Sequence, residues 1–176
     1  MANEALIGYI NKLLAIYKEV DSLISGLSYL LTRREAVLSE ISKDASKKTK
    51  SKVEGSAGDE SIGTGASEIE VVNREIKESY RRIVDKKQEM HEHIDDLPEV
   101  CRSPLVLYFV REFLKEGLCD TIAGGVKLYS NKYQSLVNSK DEKEIALLRQ
   151  INIELAKAGQ RDSFLATVDE KVKNTF

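Results

Sequence analysis

Leu6, Ile10, Leu13, Tyr17, Val20, Ile24, Leu27, Leu31, Arg34, Leu38 and Ile41 follow one another at alternating spacings of four and three. On a helix of 3.6 residues per turn, that rhythm draws a narrow apolar seam along one side, which is stable only when buried against another helix. No proline interrupts the run, and Gly8 and Gly26 alone weaken it. The spacing therefore predicts one helix from Asn3 to Ser42, a rod of roughly 60 Å. Tyr9, Ile16, Leu23, Leu30 and Val37 flank the seam and widen the apolar face beyond that of a strict dimer.

Composition agrees with a helical protein. Charged residues make up 32% of the chain, and there are two prolines and no tryptophan, too few turn-formers for a sandwich or barrel. A length of 176 residues accommodates one core-bearing domain, or one domain plus an elongated coiled-coil arm.

Past residue 43 the pattern stops. Residues 44–66 hold Gly55, Gly58, Gly63 and Gly65 among serines and lysines, with almost nothing to bury, and read as a flexible linker. A natural insertion at a hairpin tip and an engineered joint both fit that composition. Residues 67–98 read as a second helix, opened by a capping box at Ser67 and Glu70 and ended before Pro98. Its stripe of Ile69, Val72, Ile76, Tyr80, Ile83, Met90, Ile94 and Leu97 is thinner than the first seam.

Residues 99–176 read as a compact helical bundle. Ser103 and Pro104 open its first helix, Gly117 closes it, and LVLYFVREFL between them is apolar almost all round. A helix over 119–137 carries Gly124-Gly125, whose helix penalty calls for a close approach or a kink. Another begins at Ser139 or Asp141 and ends at Gly159, and a short last one begins at Asp162 or Ser163. The expected fold is all-α: a long antiparallel coiled-coil-like helical hairpin followed by a small C-terminal helical bundle.

Chemical signatures are sparse. His91 and His93, two apart on a helix, diverge by roughly 200° and cannot share a metal. Cys101 and Cys119 lack CxxC spacing, and Asp120 opposes a thiolate at Cys119, so both read as small buried apolar groups. No phosphate loop or nucleophile elbow occurs, so no catalytic residue, metal or cofactor is expected. A net charge of −2 argues against nucleic acid. The first residues do not resemble a signal peptide, and paucity of cysteine favours a cytoplasmic location.

Function is accordingly expected to be non-enzymatic: a scaffold or adaptor subunit that joins proteins through the seam from Leu6 to Leu38. The partner is a second copy or the helices of another chain. Arg34, the one charge in the seam, would fix register by meeting an acidic residue of the second helix, or would snorkel into water beyond its end. A second reading places Lys43, Lys47, Lys48, Lys50 and Lys52 on an acidic membrane surface. A third is a small ligand carrier or enzyme with its site in the C-terminal bundle.

Overall fold

A computed structural model describes residues 2–51, 61–94 and 97–175 of this chain. Five α-helices and one 3₁₀ turn occupy almost all of them, and no strand occurs among the described residues, so the fold is all-α. The helices are α1 (Ala2–Ser51), α2 (Ser61–Ile94), α3 (Pro104–Lys115), α4 (Ile122–Val137) and α5 (Glu142–Thr175), with the 3₁₀ turn at Glu99–Arg102.

The chain divides into two compact units, one of Met1–Val20 with Lys86–Phe176 and the other of Asp21–Asp85. In the second unit α1 and α2 run antiparallel, since Arg33 reaches Glu68 and Glu75 while Ile41, further along α1, lies against Gly65, earlier on α2. A Cβ at Gly65 would stand 3.0 Å from Ile41 Cγ1, so the helices approach closely where a side chain is missing. Val37, Val72, Ile76 and Ile83 are buried there with Leu27.

In the first unit, the start of α1 and the end of α2 are likewise antiparallel, with Lys12 beside His93 and Glu19 beside Lys86. Ile10, Leu13 and Tyr17 of α1 join Val106, Leu107, Val110 and Leu114 of α3 in one core, together with Ile94, Cys101 and Tyr129. A core of this kind, with no buried charged or polar residue among those described, is held mainly by apolar burial.

Both ends of α3 follow from sequence, with one difference. At the C-terminus Gly117 adopts φ +69°, the Leu118 N–H donates to Phe113 O at 2.9 Å and the Gly117 N–H to Leu114 O at 3.2 Å. This is a Schellman cap, which needs a residue free to enter the left-handed region. At the N-terminus Ser103 occupies the cap position, but its hydroxyl makes no capping bond. Its Oγ is instead buried and has no hydrogen-bond partner.

Gly125 accounts for the glycine pair inside α4. Its absent Cβ would lie 2.8 Å from Val110 Cγ1 and 3.3 Å from Val110 Cα, so α3 and α4 touch backbone to side chain there. Thr121 caps α4, its Oγ1 accepting the Gly124 N–H at 3.1 Å.

Three boundaries differ from the sequence reading. The first helix continues past Ser42 to Ser51, across residues assigned to the linker. Ala45 and the lysines there are good helix formers, and Ser46 donates its hydroxyl back to Ser42 O at 2.8 Å. Likewise α2 starts at Ser61, so Ser67 lies inside it and opens no capping box. The remaining linker positions, 52–60, lie outside the described residues. Finally, α5 runs unbroken through Gly159, where two helices were expected. Ala156, Lys157, Ala158, Gln160 and Arg161 around it favour helix, and Ile151, Leu155, Ala158, Leu165 and Val168 keep helical spacing across it.

Candidate functional site

The seam is where function was expected, and its two halves have different surroundings. In the first unit Ile10, Leu13, Tyr17 and Val20 are buried; the first three share a core with residues of α2, α3, α4 and the 3₁₀ turn, and half-buried Leu6 packs against it. Those positions are therefore covered within this chain, the part of the seam that the antiparallel hairpin was expected to close. The short bundle helices supply the second apolar surface that α2 alone lacks.

In the second unit Leu27 is buried, Ile24 and Leu31 are half-buried, and Leu38 is 40% exposed. The buried line passes through Val37 instead. One residue turns a helix by about 100°, and Arg34, Val37 and Ile41 share the side that meets α2. Leu31 and Leu38 lie around the flank of that side, half-buried and exposed respectively. Ile24, Leu31 and Leu38, each a heptad apart, thus form an apolar strip that grows more exposed toward Leu38.

Arg34 finds an acceptor on the second helix, as one of the two expectations held. One acceptor is an amide: Arg34 Nε donates to Asn73 Oδ1 at 2.9 Å. The neighbouring Arg33 takes the acid, 2.9 Å from Glu68. That pair is exposed and contributes little to stability, while the half-buried Arg34–Asn73 bond opposes sliding of the helices because a shift of register would break it.

The histidines do not converge. His93 receives a hydrogen bond at Nε2 from Lys12 Nζ at 2.8 Å, its backbone carbonyl accepts from the Tyr9 hydroxyl, and its ring meets Tyr9 edge to face. Among the described residues no group of three or more His, Cys, Asp or Glu could hold a metal. Both cysteines are free and buried. Burial pushes the Cys101 thiol up to about 11. Cys119 is also raised, chiefly by burial and further by Asp120, against a hydrogen bond from the Thr121 backbone. Neither thiol is a thiolate at neutral pH, so neither is poised for nucleophilic attack.

Lys43, Lys47, Lys48 and Lys50 lie within the helical span of α1 and Lys52 lies outside the described residues. No helix among the described residues is long and apolar enough to cross a membrane.

Sequence reasoning missed one feature, a recess of about 430 Å³ in the first unit. Glu99 and Val100 of the 3₁₀ turn, Ser103, and Val106 of α3 form one wall. Tyr129 and Tyr133 of α4 and Leu155 of α5 form the other. Its residues are scattered over four elements, and no periodicity or spacing in the chain links them. The one available signal, Ser103 ahead of Pro104, points to a helix cap and not to a cavity wall.

No protein-family model, curated protein or solved structure matches this chain.

Proposed function

We propose that this chain is a non-enzymatic helical scaffold or adaptor subunit that assembles with other helices, in the simplest case with a second copy of itself. The observation that carries this reading is the strip Ile24, Leu31 and Leu38. Three apolar residues one heptad apart lie on α1, and Leu38 is 40% exposed. Heptad spacing is the geometry a coiled-coil partner requires, and covering such a strip removes apolar area from water. The protonated, buried thiols and dispersed histidines offer no nucleophile or general base in a catalytic arrangement, which favours binding over chemistry. Two free cysteines support a reducing, cytoplasmic setting.

The test is molar mass by light scattering in line with gel filtration, over a range of concentrations. Leu38→Glu combined with Leu31→Gln is expected to convert a dimer or higher oligomer to monomer while helix content stays unchanged. Leu13→Asp or Leu27→Asp would not serve, because both side chains are fully buried within their own chain and report on folding. A wild-type protein that stays monomeric at every concentration refutes self-assembly and leaves a helix of a different chain as the partner to be sought.

A further inference from the structure

The polar contacts across the α1–α2 hairpin of the second unit distinguish its two sides. Arg33 turns toward Glu68 and Glu75 on one side, and Arg34 toward Asn73 on the other. At about 100° per residue, Leu31 and Leu38 stand roughly 60° and 40° past Arg34, on the Asn73 side. On α2, Tyr80 and Val84 return to within about 20° of Asn73. Ile24, Leu31, Leu38, Tyr80 and Val84 therefore share one side of the hairpin. Leu38 and Val84 are 40% and 43% exposed, and the other three are half-buried.

Charge along this side is divided between the two helices. The α1 flank beyond the strip runs through Asp21, Ser25, Ser28, Thr32, Glu35 and Ser39, acidic and without a cation. The α2 flank beyond Val84 carries Lys77, Arg74 and Arg81 against the single acid Glu70. Glu35, Arg74 and Arg81 are exposed and belong to none of the ion pairs among the described residues. A surface that is acidic on one helix and basic on the other is complementary to itself, but only in one orientation.

We infer that a second copy of this chain docks on this side with α1 of each chain lying along α2 of the other, about a two-fold axis parallel to the helices. The inference rests on the self-assembly reading above and names the surface that α1 meets. This axis brings acidic flank to basic flank twice and covers the five apolar residues in a four-helix arrangement. An axis across the hairpin would instead lay α1 on α1 and α2 on α2, placing like charges opposite one another. Because Arg34 is level with Asn73, Glu35 of one copy comes within one helical turn of Arg74 of the other. In their own hairpin the two residues stand on opposite outer margins, so they cannot compensate each other within one chain.

The experiment is light scattering in line with gel filtration on full-length wild type, Glu35→Lys, Arg74→Glu and the double variant, over a range of concentrations at low salt. Circular dichroism checks that helix content is unchanged. Each single reversal turns two symmetric attractions into repulsions and should raise the dimer Kd by about three- to tenfold. The double variant exchanges the charges and should return to within about twofold of wild type. Salt at about 0.5 M should erase the differences. A dimer that Leu38→Glu with Leu31→Gln dissociates, but that neither charge reversal weakens or the double variant fails to restore, overturns the pairing of α1 with α2 and leaves self-assembly standing. A wild-type monomer at every concentration overturns both.

Discussion

Replacing Gly125 by alanine tests the α3–α4 crossing on which the bundle depends. In an isolated helix the change stabilises by about 1 kcal/mol, because alanine surrenders less backbone freedom. Here the new Cβ would stand 2.8 Å from Val110 Cγ1, 3.2 Å from Cγ2 and 3.3 Å from Cα. Both methyls face the glycine and a helical valine has one strongly preferred rotamer, so side-chain rotation offers no escape. The helices must separate, and overpacking of this kind costs about 1–3 kcal/mol. Net of the helix gain, the change lies between about zero and a loss of about 2 kcal/mol, or a Tm lower by up to about 8 °C for a chain of this size. Gly8→Ala and Gly159→Ala are the controls within the same unit. Neither would place a Cβ within 4 Å of another group, so each should stabilise by about 0.4–1 kcal/mol. Urea unfolding followed by circular dichroism reads all three, and Val110→Ala completes a double-mutant cycle with Gly125→Ala. Because the new methyl partly fills the space left by Val110, the double variant should lose less stability than the two single losses combined. A Gly125→Ala protein stabilised to the same degree as the two controls, or strict additivity in the cycle, would refute the close crossing.

Other perturbations follow from the same structure. Gly117→Ala places a side chain at φ +69° and should cost about 1 kcal/mol, seen as a lower urea midpoint with unchanged slope. Alkali should weaken the fold. Burial is the main reason the Tyr17 phenol is raised from about 10 to about 12, with Arg161 above its ring acting in the opposite sense, and burial alone raises Cys101 to about 11. In both cases the unfolded chain releases its proton first, so their contribution is complete at pH 8 and is lost as pH rises from about 9 through 12. Each group accounts for about 2–3 kcal/mol at most. The urea midpoint should therefore fall across that window, and Tyr17→Phe should flatten its upper part; a midpoint independent of pH would contradict the burial of both groups.

Sequence alone determined the class of fold and the character of its strongest elements. Heptad spacing from Leu6 to Ile41 demands a long helix, and Pro104 with Gly117 bounds α3, because these signals are local and each rests on one residue's backbone preference. The close approach at Gly124-Gly125 was also legible as an uncompensated cost inside a helix. Tertiary structure decided which neighbour each surface meets. Only packing assigns Ile10, Leu13 and Tyr17 to the chain's own core, and turns the buried line of α1 onto Val37 so that Leu38 stays exposed. Gly159 shows the limit from the other side: glycine permits a helix end but does not compel one, and continuous burial on either side carries α5 through it. Ser103 is the sharpest case. A serine before a proline specifies a cap as far as local chemistry goes, and only the packing around it leaves its hydroxyl buried without a partner.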